Sequence, residues 1–267
     1  NLTESDVMVD SPTNNFATMN PLKPQLTGGT IDYFEGNLHI FGAGGSGGAS
    51  SVVNTHEITF DVYFELYFKH ASNNNYTRMG LISTEKLDWL DANYNATSTG
   101  IASTNMNDSS SINQGDTGTH TAAGVPSLAQ GDILQVAYSK TNGKLYFGKN
   151  GTWTNSTNPA SNSGTPVFTG LTTLGNTLFF IGMNTRTSPS ELRSGWVLNF
   201  GQDSSFAGNK TAQGNQDGNN IGDFYYTPPT GFLALCTSNL PDVAVVPSEN
   251  FNAVTYSGSG SEQAIVT

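Results

Sequence analysis

The chain has 267 residues, 36% hydrophobic and 10% aromatic, enough for one large β domain or two small ones with a real core. Its formal net charge is −11 with only ten Lys plus Arg. A surface of that sign repels phosphate backbones and anionic lipid, which argues against nucleic-acid binding and membrane-surface binding. Charged residues are only 12%, against 30 Gly and 29 Asn, so the chain is rich in turn residues and poor in the alphabet of long helices. No apolar run approaches the ~18 residues of a transmembrane helix. The N-terminal NLTESDVMVDSP has neither the basic region nor the apolar core of a signal peptide, and without an initiator Met the expectation is a processed chain or a fragment. Cys236 is the single cysteine, which excludes an intrachain disulfide and fits a reducing compartment. Sequons such as Asn75-Tyr76-Thr77, Asn95-Ala96-Thr97 and Asn155-Ser156-Thr157 are chance matches in so Asn-rich a chain.

In chain order, Asn15–Leu22 is a short semi-apolar run ended by Pro21 and Pro24, a first strand or an arm packed on the domain. Ile31–Phe41 reads as two short strands around a turn at Gly36. Gly42–Ser51, GAGGSGGASS, is a flexible loop by composition, with no Lys and no phosphate-loop pattern. His56–Lys69 alternates strictly. Ile58, Phe60, Val62, Phe64, Leu66 and Phe68 form an apolar face; Glu57, Thr59, Asp61, Tyr63, Glu65, Tyr67 and Lys69 form the other, which is expected to meet solvent or a partner. Met79–Ser83 is a short buried strand. Thr84–Pro126 is a long polar loop in which Ile101 marks a strand, and a loop of that length is usually functional or mobile.

Gly131–Trp153 is the central hairpin. Ile133–Tyr138 and Lys144–Phe147 flank Asn142-Gly143, and a second Asn-Gly pair follows at Asn150-Gly151. A type I′ turn at Asn142-Gly143, where both residues need positive φ, pairs Thr141 with Lys144, Tyr138 with Phe147 and Val136 with Lys149. Thr177–Met183 and Trp196–Gly201 are two further core strands. Ala207–Asp223 is a polar insertion, Phe224–Tyr226 and Leu233–Leu235 follow around Pro228 and Pro229, and Leu240–Pro247 is an exit linker. Phe251–Tyr256 and Ala264–Val266 are strands left without partners, as if the chain stopped inside a next domain.

The residues offer little catalytic chemistry. Glu57, Asp61 and Glu65 share a strand face, but positions four apart lie roughly 13 Å apart, outside the windows of about 5–9.5 Å that glycosidase pairs need. They read as a solvated face. His39, His56, His70 and His120 lack metal-ligand spacing, and no Gly-x-Ser-x-Gly elbow occurs. Asn215, Asp217, Asn219 and Asp223 resemble a calcium loop, but the EF-hand positions for Gly and the final acid are Asn220 and Tyr226. A hydrated loop is the plainer reading, with a non-EF calcium site left open. No cofactor or metal is expected. Trp153 is expected to fold back on the core. Trp89, Tyr94 and Asn95 in one loop, and Asn215 and Asp217 in another, are the candidate contact residues.

The order FDVYFELYF, GLIS, GDILQVAYSKTNGKLYFGKNGTW, TLFFIGM, WVLNFG resembles a SPRY (B30.2-like) domain. That family's D-x-x-x-G-x-L-x-F-x-x-N-G run matches here at Gly143, Leu145, Phe147, Asn150 and Gly151, with Ser139 where the acid stands. The flanks Asp10–Leu22, Asn199–Asn215 and Asp223–Asp242 look like SPRY-containing structural proteins of tailed bacteriophages, and FNAVTYSGSGSEQAI resembles the start of the repeat that follows in them. The resemblance implies an all-β fold, a bent antiparallel concanavalin-A-like sandwich with long polar loops. It divides the chain into an arm (1–30), the sandwich (31–236), a linker (237–250) and the start of a following domain or partner-pairing strands (251–267). It implies a non-enzymatic component of a virion assembled in the host cytoplasm, on a fibre, spike or capsid surface. Its partners would be other virion proteins, copies of itself (a trimer by analogy) and a host receptor or surface glycan. A lectin-like carbohydrate-binding domain is the alternative, and a polysaccharide-degrading enzyme a third reading.

Overall fold

The computed structural model describes residues 14–23, 25–70, 75–91, 101–106, 112–114, 119–120, 124–185, 193–241 and 260. The strands are β1 (Gln25–Phe34), β2 (His39–Val53), β3 (Val62–His70), β4 (Asn75–Ser83), β5 (Ile101–Asn105), β6 (Ile112–Gln114), β7 (Thr119–His120), β8 (Ile133–Ser139), β9 (Lys144–Lys149), β10 (Thr152–Trp153), β11 (Phe168–Thr169), β12 (Thr177–Thr185), β13 (Arg193–Asn199) and β14 (Leu233–Ala234). Short 3-10 turns are the only helical elements among the described residues.

Hydrogen bonds link the strands in the order β6-β5-β4-β12-β2-β13-β3-β8-β9-β11-β7, and the two wings of this path face each other as an antiparallel sandwich. Phe64 on β3 and Phe179 on β12 show the fold-over: their ring centroids are 4.7 Å apart. Three strand steps separate them along the path, roughly 14 Å in a flat sheet. Strand β2 serves both wings. Its first residues, His39 to Ala43, pair with β13, and its last, Ala49 to Val53, pair with β12. Between these, its pairing with β1 jumps from Gly29↔Gly44 to Gly28↔Ala49. The glycine-rich stretch expected to be a loop is therefore the corner strand of the sandwich. Glycine has no Cβ to obstruct a sharp bend, which suits it to such a corner.

The inner faces interdigitate Val62, Phe64, Leu66 and Phe68 of β3 with Leu134 and Val136 of β8, Phe147 of β9, Met79 and Leu81 of β4, and Phe179 and Ile181 of β12. The expected strand from His56 begins only at Val62; before it, Ile58 alone bridges to Thr177. The polar stretch 84–126 is not one loop. It holds the 3-10 segment Thr84–Asp91 and strands β5, β6 and β7, which extend the sheet edges. Strand β1 runs through the arm boundary expected at residue 30. The strands expected within 251–267 lie outside the described residues.

The central hairpin forms with a different register. Ser139 pairs with Lys144, Tyr138 with Leu145 and Val136 with Phe147, so Lys140–Gly143 is a four-residue connection. Only Gly143 of the Asn-Gly pair has positive φ, at 60°. The two-residue turn is at the second pair, where Asn150 and Gly151 have φ of 50° and 85° and Thr152 pairs with Lys149. The longer connection is held by Asp61, which accepts the Thr141 N–H at 2.9 Å and the Ser139 hydroxyl at 2.9 Å. The carboxylate missing at position 139 thus arrives from the start of β3.

All seven residues of β8 are buried, because a further layer covers the outer face of this wing. That layer is the segment after β13, nearly without strands. Phe224, Phe232, Ala234 and Cys236 pack with Phe16 of the N-terminal arm against Tyr63, Ala137 and Tyr146. Arm and segment are stitched by Ala17 N–H to Leu235 O at 2.9 Å and Thr237 N–H to Asn15 O at 2.9 Å.

Candidate binding surface

The outer face of β3 carries Tyr63, Glu65 and Tyr67. Glu65 was expected to be solvated; it has no exposed surface. The covering layer, which strand periodicity does not reveal, removes it from water. Its Oε1 accepts the Tyr63 hydroxyl at 2.7 Å and the Tyr226 N–H at 2.7 Å. Its Oε2 accepts the Tyr225 N–H at 2.8 Å and Asn199 Nδ2 at 3.3 Å. Burial pushes its pKa up to about 7, against the downward pull of these four donors. Burial, with the Glu65 charge second, also raises Tyr63 well above the ordinary phenol value.

Glu65 therefore pins two consecutive backbone amides from below, and their side chains emerge at the surface. Tyr225 and Tyr226 are half-buried, with ring centroids 5.0 Å apart and edge to face. The row continues through buried Phe206, 6.2 Å from Tyr225, to half-buried Tyr67 at 5.8 Å. Lys210 Nζ lies 5.4 Å from the Tyr67 ring centroid, a cation over an aromatic face. Ile133 and Val197 underlie the cluster.

Next to the row stands the Asn150-Gly151 turn. A Cβ built on Gly151 would come within 3.0 Å of the Tyr226 ring, so the ring lies flush on the turn. Asn150 accepts the Ile133 N–H at 2.8 Å and donates to Asp132 at 2.7 Å. Asp132 pairs with Lys149 at 2.7 Å. Partial burial raises the Asp132 pKa, but the bonds from Lys149, Ala129 and Asn150 outweigh it and the net shift is downward.

The structure distributes the residues singled out in the sequence as follows. Trp89 lies in the 3-10 segment Thr84–Asp91, and Tyr94 and Asn95 lie outside the described residues. Asp217 is 6% exposed. Its Oδ1 accepts the N–H groups of Asn219 and Ile221 at 2.8 and 3.0 Å, and its Oδ2 accepts Ala234 N–H and Asn239 Nδ2, both at 2.8 Å. Asn215 bridges to the Phe224 and Tyr225 carbonyls at 3.2 and 3.0 Å. Both residues tie the covering layer together. Among the described residues no group of three His, Cys, Asp or Glu is placed to hold a metal.

Trp153 packs edge-on against Tyr63 with centroids 6.3 Å apart, half-buried as expected of a residue folded back on the core. Glu57 is exposed, Asp61 holds the hairpin connection and Glu65 is enclosed, so this strand offers no facing pair. The tyrosine row itself escaped the sequence reading. Its one local signal is Phe224-Tyr225-Tyr226, three consecutive aromatics in a Gly- and Asn-rich stretch just before Pro228.

No family model and no curated protein matches the chain. Among solved structures it is similar to the SPRY domain of human HERC1, at 15% identity and a TM-score of 0.46, covering 67% of this chain and 96% of that one. It is similar to the NEUZ (NHR) domain of Neuralized from Drosophila melanogaster, at 12% identity and a TM-score of 0.42, covering 71% and 94%. It is also similar to lectin I-B4 from Griffonia simplicifolia, at 10% identity and a TM-score of 0.35, covering 69% and 98%. The likeness to SPRY, NHR and lectin domains is one of fold.

Proposed function

We propose that the chain is a non-enzymatic interaction module of a tailed-bacteriophage virion, carried on a fibre, spike or capsid surface, with the tyrosine row as its recognition face. The observation that carries the recognition role is the row itself: half-buried Tyr67 on β3 and half-buried Tyr225 and Tyr226 on the covering layer, the last two with their backbone amides held by a buried carboxylate. Rigid aromatic anchors lose little entropy on binding and dominate interface energetics. The virion assignment rests on the sequence resemblance of 10–22, 199–215 and 223–242. In the structure, the described parts of these segments belong to the arm and layer that cover the sandwich. A trimeric assembly and virion-protein partners follow from the same resemblance.

Cryo-electron microscopy of the intact particle tests this reading. Tyr225 and Tyr226 facing outward at a fibre end or surface support host recognition. The same residues covered by a neighbouring subunit make the module an assembly or decoration protein, and particles lacking the chain refute the virion assignment.

A lectin-like role is the second reading, favoured by one feature: the Tyr226 ring, flush on the exposed Asn150-Gly151 turn and followed by exposed Thr227, sets an apolar face beside polar groups, which suits the faces and hydroxyls of a pyranose. Glycan-array binding that is lost in Tyr225→Ala/Tyr226→Ala supports it, and an array without hits removes it.

A further inference from the structure

We propose that the proton on Glu65 switches the geometry of the tyrosine row, directly through the Tyr226 amide and indirectly through a Tyr63–Gln135–Gly151 hydrogen-bond relay. This is a regulation of the face described above and rests on reading that face as the recognition surface.

All four partners of Glu65 are donors, which suits a carboxylate. A protonated carboxyl needs one acceptor instead. Two of the four are backbone N–H groups and cannot accept. The Asn199 amide is fixed in its orientation, because its Oδ1 accepts Gly201 and Asp203 N–H at 2.8 and 3.1 Å and its Nδ2 also donates to Asp223 O at 2.8 Å. Only the Tyr63 hydroxyl can reverse its role. The proton therefore enters on Oε1, the oxygen facing Tyr63. Oε1 also holds the Tyr226 amide, while Tyr225 is held by Oε2, so protonation weakens the Tyr226 bond first.

The reversal propagates. Tyr63 already accepts Gln135 Nε2 at 3.3 Å, and Gln135 Oε1 accepts the Gly151 N–H at 2.8 Å. A Tyr63 hydroxyl that accepts from Glu65 must turn its own proton toward Gln135. The Gln135 amide turns over to receive it, and Gly151 loses its acceptor. Gly151 is the residue on which the Tyr226 ring rests. Both ends of Tyr226, its amide and its ring, thus respond to one proton. Titratable groups facing the site are few: Tyr63 on β3 and Tyr226 on the covering layer keep their protons throughout, β8 contributes the neutral Gln135 and β13 the neutral Asn199. Asp132, which acts on Tyr226 electrostatically, is ionised across the same range.

The test is an NMR titration of the isotopically labelled chain between pH 8 and pH 5, without ligand. Acidification is expected to move the amide protons of Tyr226 and Gly151 upfield, Tyr225 less, with the midpoint near 7 that the Glu65 carboxyl carbon also shows. In Tyr63→Phe, which lacks the hydroxyl that links Glu65 to Gln135, the Gly151 response disappears. A Glu65 carboxyl carbon that does not titrate in this range overturns the proposal. So does a silent Gly151 in the wild type, or a Gly151 response surviving in Tyr63→Phe. Because no ligand is present, failure here leaves the recognition reading intact, and a covered tyrosine row in the particle removes that reading without touching the relay.

Discussion

The carboxylate of Glu65 and the backbone amide of Tyr225, 160 residues apart in sequence, meet at 2.8 Å inside the protein. This contact joins a sandwich strand to the layer that covers it, and it sets the height at which the neighbouring tyrosines stand.

Replacing Glu65 with Gln should destabilise the fold by about 2–3 kcal/mol at pH 8. One accepting oxygen becomes an NH₂ aimed at donors it cannot satisfy, and a buried unsatisfied pair costs in that range. Urea unfolding, read as a lower midpoint with an unchanged slope, checks it.

The same residue sets a pH dependence of defined sign. Its folded pKa, about 7, lies above the ordinary 4.5, so its contribution to stability is fully present below about 4.5 and is lost as pH rises through about 7. The shift corresponds to about 3 kcal/mol. His56 acts in the opposite sense, since burial lowers its pKa and its neutral form is the stabilised one. The difference between wild type and Glu65→Gln, followed by urea unfolding from pH 5 to 8, removes the His56 effect. The wild-type advantage should shrink as pH rises.

Asp217 should behave as a structural clamp. Asp217→Ala removes the acceptor of four donors in the covering layer, two of them on the buried residues Ala234 and Asn239, and should cost about 3 kcal/mol or more. Millimolar calcium or a chelator should leave the wild-type melting temperature unchanged, because both carboxylate oxygens are already engaged. A calcium-dependent rise in melting temperature would identify the segment as a cation site.

The two Asn-Gly turns should respond unequally to Gly→Ala. At Gly143 a Cβ would meet the Thr172 amide nitrogen at 2.5 Å and the Leu171 nitrogen at 2.8 Å, both backbone. At Gly151 it meets only the Tyr226 ring, at 3.0 Å, which has room to shift. Both sites have positive φ and lose about 1 kcal/mol from that alone, so Gly143→Ala should be the more damaging by a further ~1–3 kcal/mol. Paired thermal melts decide the ranking.

Strand identity was largely legible because it is local: β3, β4, β8, β9, β12 and β13 each announce themselves by alternation or by a short apolar run. The hairpin register was not, because two Asn-Gly pairs compete for one turn chemistry. A register displaced by two residues leaves every side chain on its original face, so the alternation of Ile133–Ser139 fits either pairing equally well. The glycine-rich run misled for a related reason. Composition reports freedom of the backbone, and the same freedom serves a loop or a strand that changes partner along its length, such as β2.

The sequence by itself determined an all-β chain, its principal strands and the face of β3 that enters the sandwich, since a period of two depends only on neighbouring residues. Only the tertiary structure decided what happens to the other face. Whether Glu65 is a solvated charge or the enclosed anchor of Tyr225 and Tyr226 depends on residues 199–239 folding back over it. No local pattern encodes that return, because burial is a property of everything that comes to lie above a residue and not of the residue's own periodicity.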